Sequence, residues 1–324
     1  MRVTLALMVD FQYLYRGLCG IANSPRASAM AGHLGAAVVA GYFLGEDHPD
    51  LDDSVYRAIE RDLDRITGGE ESIWFNPIKA GITASELFKA FPAETSDESA
   101  IESLPKALER NIGTVRQSGH NVIFASIAIR ALKEHPEHAT PQLVAGIRKL
   151  ITMFDTQHPG RGYYGKGVGW KSGNQAPIAR AESTPPYESL TDMAGVIIDE
   201  LIFAASKRRE GYGGLFHLIN HAAALTELDR YGYKDLARKG IAAHRQHLRL
   251  HRALPEVSDE LGKLERTDED PLKPRYWKRT ESKQWDAWLT HRIKTLYGFH
   301  TLLRFIDDEA KRHRAKEEFG YLMA

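Results

Sequence analysis

GYGGLFHLINHAAALTELDRYGYKDLARKGIAAHRQHL, residues 211–248, reads as one helical hairpin with two histidines at the head of its first helix. Gly213 and Gly214 break the chain, and Leu215, Leu218, Ile219, Ala222, Leu225 and Leu228 then recur at the three- and four-residue spacing of an amphipathic helix. His217 and His221 are four apart and share a face of it. Tyr231-Gly232-Tyr233 ends the helix, with glycine where a left-handed cap is wanted. Leu236, Ile241 and neighbouring alanines carry an apolar stripe back the other way. Such a hairpin buries its stripe only against neighbours, so more units of the same kind are expected.

They are present. Gly32-His33 is followed by His48-Pro49, and Gly119-His120 by His135-Pro136, the second histidine standing fifteen residues after the first in each case. Beyond the His-Pro pairs, Val55, Ile59, Leu63 and Ile66 correspond to Leu143, Ile147, Ile151 and Phe154 at a constant offset of 88. Thr140-Pro141 is a good helix start, and Asp52-Asp53 stands where an N-cap belongs. Thr83 and Glu86 have capping-box spacing at a short helix. Further helices are expected over 28–44, 51–66, 98–117, 191–207 and 285–306, with a solvated charged helical end at 307–318.

No segment shows a sustained period-two pattern flanked by hairpin turns. The expected fold is all-α: repeated antiparallel hairpins in a single domain over residues 1–324, closing into an α/α toroid, with an open superhelix as the alternative. A glycine-rich loop at 159–186 and a charged connection at 258–279 interrupt it.

Forty-three basic and 43 acidic residues cancel, which leaves no global field to favour nucleic acid or an anionic membrane. The longest apolar stretch, 33–44, is too short for a bilayer, for which about 20 residues are needed. Asp10 interrupts the apolar run at the amino terminus, so that segment is expected to belong to the fold. One cysteine, Cys19, excludes an intrachain disulfide and suits a reducing compartment, and the cytoplasm is the expected location.

Histidines carry the sharpest functional signal. His33, His120, His217, His221 and His291 stand at or near the start of helices expected to form the inner ring. Imidazole there can act as acid or base near neutral pH, or bind a transition metal. His217, His221 and His120 are the candidate catalytic residues. The ordinary alternative is that such histidines hydrogen-bond loops or cap helices. No metal ligand set is fixed by the sequence: His217 and His221 could bind zinc, iron or copper with His120 or Asp192, but the glutamate of H-E-x-x-H is replaced by Leu218.

PGRGYYGKGVGW, residues 159–170, imitates a phosphate-binding loop, yet Gly167 stands where the magnesium-binding hydroxyl belongs and no strand is expected before it. Nucleotide-binding fingerprints are otherwise missing, and the cofactor is left open. The loop's expected role is a lid in which Arg161, Tyr164 and Trp170 meet an organic ligand. Trp285, Trp288 and His291, with Tyr297 and His300 beyond, could line the same cavity, although aromatic residues at helical spacing are more often core. His33 completes the candidate substrate-binding set.

GGLFHLINHAAALTELDRYG, with the repeated Gly-His helix openings, resembles the questin oxidase-like proteins, chiefly over residues 115–250. The resemblance implies a helical oxidoreductase acting on a polycyclic aromatic substrate, in which oxygen insertion precedes ring opening. The expected function is therefore an oxygenase-type oxidoreductase with a small phenolic or polycyclic partner, His217 or His221 taking its proton and His120 or Arg161 facing the oxyanion. A toroid glycoside hydrolase or lyase using Glu200 and Asp192, with tryptophans stacking sugars, is the second reading. A non-catalytic helical scaffold is the third.

Overall fold

The computed structural model describes residues 8–71, 73–177, 184–278 and 287–324. In chain order its helices are α1 (Gln12–Asn23), α2 (Gly32–Glu46), α3 (Asp53–Thr67), α4 (Pro77–Ala80), α5 (Ala84–Leu87), α6 (Ser103–Glu109), α7 (His120–Glu134), α8 (Pro141–Thr152), α9 (Leu190–Ala204), α10 (Gly214–Arg230), α11 (Lys234–Arg252), α12 (Ser258–Leu261), α13 (Pro274–Lys278), α14 (Trp288–Leu303) and α15 (Glu309–Phe319). None is long and apolar enough to cross a membrane.

Four of them form the centre. α2 packs against α7 and α14, and α10 packs against the same two. Their side chains are buried almost all round, as helices without a solvent face must be. The amphipathic helices α3, α8 and α11 keep an exposed polar face and lay their stripes against this centre or its neighbours, while α1 is buried along most of its length between α2 and α8. Small residues let the layers approach closely: a Cβ on Gly35 of α2 would lie 2.3 Å from the Ile21 backbone nitrogen and 2.6 Å from the Gly17 carbonyl oxygen of α1. One apolar cluster runs from Val9 to Met323.

The hairpins α2–α3, α7–α8 and α10–α11 correspond to the three repeat units, and α14–α15 adds a fourth pair of helices in sequence. Local rules hold at their starts: the Asp52 carboxylate accepts from Ser54 N at 2.8 Å, the Asp308 carboxylate from Lys311 N at 3.1 Å, and Thr83 with Glu86 completes both halves of its capping box.

Two expectations need correction. The region 98–117 is a 3-10 turn followed by the seven-residue α6, because Gly113 and the left-handed residues after Arg116 end it early. The glycine-rich loop also contains a two-stranded antiparallel sheet, β1 (Arg161–Tyr163) with β2 (Trp170–Ser172), in the register Gly162 opposite Lys171. Short strands between glycines give no alternating run long enough to read.

A buried ionic knot ties the central helices farther along. Arg130 of α7 makes two 2.8 Å bonds to Asp47, lies 3.4 Å from Glu227 of α10, donates to the Tyr297 hydroxyl of α14 at 3.0 Å, and stacks on Phe43 of α2 at 3.8 Å. Tyr297 is thereby committed to this knot, and His300 packs on His48, so neither lines the cavity described below.

Candidate functional site

His33, His120, His217 and His291 occupy the first turns of α2, α7, α10 and α14. Because those four helices touch and their heads lie at one end, the four imidazoles converge. His33 Nε2 is 2.5 Å from His120 Nε2, and His217 Nε2 is 2.8 Å from His291 Nε2. The His120 and His217 ring centroids are 4.4 Å apart, and those of His33 and His291 5.0 Å.

The backbone before each helix sets the tautomers. Gln117, Ser118 and Tyr212 are the described non-glycine residues with positive φ, and all three lie on this cavity. Gln117, Ser118 and Gly119 form a left-handed turn into α7, pinned when Gln117 N donates to the His158 carbonyl and Ser118 N to that of Pro159, each at 2.8 Å. The turn aims two carbonyls at the site. His120 Nδ1 donates to Gln117 O, and His217 Nδ1 to Ser118 O at 3.3 Å. His291 Nδ1 donates to Ala287 O at 2.8 Å. A carbonyl only accepts, so a ring that donates to one carries its proton on Nδ1 and turns Nε2 inward. Unfavourable backbone held at a site by its surroundings is a mark of function.

Glycine is required at the head of α10. Gly213 has φ +70°, and a Cβ there would fall 2.1 Å from His217 Cγ. The run Gly211 to Gly214 is left-handed throughout.

His33 differs from the other three. Its Nδ1 is contacted by the Lys294 ammonium of α14, so Nε2 carries the proton and donates to His120. Trp74 stacks on the His33 ring at 3.7 Å and 8°. The segment after α3 that supplies Trp74 also supplies Glu71, whose carboxylate accepts from Leu289 N at 2.7 Å and Thr290 N at 3.1 Å, capping α14 just before His291.

All four imidazoles are held well below their ordinary pKa, first by burial and then by nearby charge, chiefly Lys294 for His33 and His291. Lys294 itself is pulled down to about 7 by burial, against the opposing pull of Glu71. The rings are therefore neutral at physiological pH.

His217 Nε2 and His291 Nε2 face each other 2.8 Å apart, in surroundings that disfavour an additional proton. With both rings protonated on Nδ1, a cation among them would take both lone pairs. One ring nitrogen from each of His33, His217 and His291 lies within 4.8 Å of the other two. Nitrogens around a tetrahedral ion at about 2.0–2.1 Å stand roughly 3.3 Å apart, so small side-chain movements suffice. Nδ1–H groups tied to carbonyls are the outer-shell orientation that metal-binding histidines use.

A cavity of 790 Å³ opens from the histidines. His33, His120, His217, His291, Arg161, Trp170 and Trp288 all line it. Other predicted positions fall elsewhere. His221 lies one turn deeper on α10, beneath Gly119, with its Nδ1 3.3 Å from His247 Nδ1, and the group of ring nitrogens that converges among the described residues holds His217 without it. Tyr164 turns to the Tyr212 hydroxyl at 3.2 Å. Trp285 lies outside the described residues. Asp192 is exposed, and Glu200 is buried against Arg252, so the acid pair of the hydrolase reading is separated.

Lys294, Trp74 and Glu71 were missed as site residues. Lys294 had a readable signal: a lysine three residues after His291 inside an apolar helix. No family model, curated protein or solved structure matches the chain.

Proposed function

We propose that this protein is a metal-dependent oxidoreductase of the oxygenase type that acts on a phenolic or polycyclic aromatic substrate with dioxygen as oxidant. The observation that carries this reading is the set of inward Nε2 lone pairs whose Nδ1–H groups are fixed by the Gln117, Ser118 and Ala287 carbonyls. His33, His217 and His291 would hold the ion, His33 through Nε2 in the tautomer that gives its Nδ1–H to a neutral Lys294, with His120 beside them. A transition metal on imidazole ligands supplies a Lewis acid for an aromatic hydroxyl and a place for dioxygen.

The chain's own residues support such a substrate. Trp74, Trp170 and Trp288 offer aromatic faces on the cavity wall, and Arg161 offers a cation at its mouth. The base is assigned to His120, whose Nε2 the ion does not take, with Lys294 beside it, since Lys294 at about 7 lies in the range where a proton is taken and returned efficiently. The α/α ring belongs to the same reading: four inner helices whose heads meet give every histidine the same end of the axis. The separated acids and the histidine-lined wall favour this over a glycoside hydrolase.

The test is oxygen uptake by iron(II)-loaded protein with a panel of polyhydroxylated polycyclic phenols, comparing wild type with His217→Gln and His291→Gln. Substrate-dependent uptake that both variants lose supports the reading. Metal-loaded protein that consumes no oxygen with any of them removes it.

A further inference from the structure

The geometry points to an oxyanion site in the cavity wall: the Ser118 hydroxyl and the Leu215 amide at the head of α10 together hold the ionised hydroxyl of an aromatic substrate. This rests on the reading that the cavity takes a phenol, and adds the charge state in which it binds and the groups that fix it.

Ser118 is 5% exposed and lines the cavity. Its backbone groups are both used, the N–H by the Pro159 carbonyl at 2.8 Å and the C=O by His217 Nδ1 at 3.3 Å. Its hydroxyl has no hydrogen-bond partner among the described residues. The neighbour that stands over it explains why it stays open. Gly160, on the same wall, has no side chain, and a Cβ there would come within 2.7 Å of Ser118 Oγ.

Helix α10 supplies the second donor. The first N–H groups of a helix have no partner inside it and point out of its head. On α14 two of them, Leu289 N and Thr290 N, are taken by Glu71. No side chain caps α10, and Leu215 N has no hydrogen-bond partner among the described residues. Gly214 before it has φ +57°, and a Cβ there would meet nothing within 4 Å, so the helix head opens on free space. Gly213, Gly214 and Leu215 all line the cavity. His217, two residues beyond Leu215, is the ring that bonds the Ser118 carbonyl, which brings the hydroxyl and the helix head to one wall.

Both groups can donate, and the 17 residues of α10 add the positive end of a helix dipole. Donors to an ionised oxygen are roughly twice as strong as donors to a neutral one, so the pair favours phenolate over phenol. His120 and His217, held through Nδ1 by carbonyls, turn acceptor nitrogens to the cavity and do not compete for an anion. Nearby cations are engaged elsewhere. Arg208 bonds Glu210 at 3.0 Å, Arg209 lies beside Glu200 and Glu256, Lys207 stands over Phe203 at 3.3 Å, Lys294 contacts His33, and Arg161 stays over Trp170 at the mouth.

An absorbance titration of para-nitrophenol bound to chelator-treated protein tests this, because only the ionised phenol is yellow; para-nitroanisole, which has no proton to lose, is the control. In wild type the bound phenol should ionise at least about tenfold more readily than the free phenol, the value of one charge-assisted hydrogen bond. Ser118→Gly suits the left-handed backbone and removes the hydroxyl, and should lose most of that gain while para-nitroanisole affinity stays within about twofold. Equal ionisation of bound and free phenol in wild type, no binding of para-nitrophenol, or a gain that survives in folded Ser118→Gly would overturn the proposal. If Ser118→Gly does not fold, Ser118→Ala decides by the same criterion. Neither metal nor turnover is involved, so a protein that binds the phenolate yet consumes no oxygen would keep this site and lose the oxygenase reading.

Discussion

Acidification should unfold this protein through its buried histidines, those between α10 and α11 together with the four site rings. His221, His244, His247 and His251 are all at most 3% exposed. His244 is lowered to about 3 and His247 to about 4, and His221 and His251 well below the ordinary value, first by burial in each case. The charged neighbours act in the same direction, since Arg209 and Arg252 further disfavour a proton on His251. In the folded state these rings stay neutral, whereas the unfolded chain protonates them near 6.5. The unfolded state then binds more protons, so the contribution is complete above 6.5 and is lost as pH falls below it. His244 and His247 each forfeit about 1.4 kcal/mol by pH 5.5 and about 2.6 by pH 4.5, together about 3 and then about 5 kcal/mol, and His221 and His251 add in the same direction. Total stabilities are about 5–15 kcal/mol. Glu71 works the other way, its carboxyl being raised by burial, but it is a single group. Near-UV circular dichroism of chelated protein, titrated downward from pH 8, should show a cooperative transition between about pH 5.5 and 4.5. A native spectrum persisting to pH 4, or a transition that takes up fewer than about two protons, would refute the reasoning.

Two substitutions test other parts of the structure. Arg130→Met removes the buried partner of Asp47 and Glu227, which keep Arg304 at 2.9 Å and Arg230 at 3.5 Å, and should cost about 2–3 kcal/mol in urea denaturation; a loss under about 1 kcal/mol would show that the knot is not stabilising. Gly213→Ala places a methyl against His217 at a left-handed position, and should lower metal affinity at least about tenfold while helicity by far-UV circular dichroism is kept. Unchanged affinity in that variant would show that the head of α10 does not orient the imidazole.

Much of the helical architecture was legible because periodicity survives in the sequence even where packing decides the rest. The fifteen-residue spacing between histidines marks two helices of equal length, α2 and α7, and the caps at Asp52 and Thr83 lie where side-chain chemistry demands them. The site was legible as residue types: His33, His120, His217 and His291 all reach the cavity from helix heads. Which of them meet was not, because that depends on the rotation of each helix. His217 and His221 share a helical face by spacing, yet one turn of rise takes His221 below Gly119 and out of the cavity. Trp74 and Glu71 come from a segment with no periodicity, and their positions are set only by what they pack against. The β1–β2 hairpin is held by glycine geometry and by Gly162 pairing with Gly211, a contact between residues far apart in sequence.

The most direct test is the metal content of chelated protein reloaded with iron(II) or zinc(II) and desalted, for wild type and for His217→Gln, His291→Gln and His221→Gln. The four-helix histidine centre predicts about one ion per chain in wild type and in His221→Gln, and a loss of at least about tenfold in affinity when His217 or His291 is replaced. Wild type retaining under about a tenth of an equivalent of either metal, or His221→Gln losing as much as His217→Gln, would contradict it.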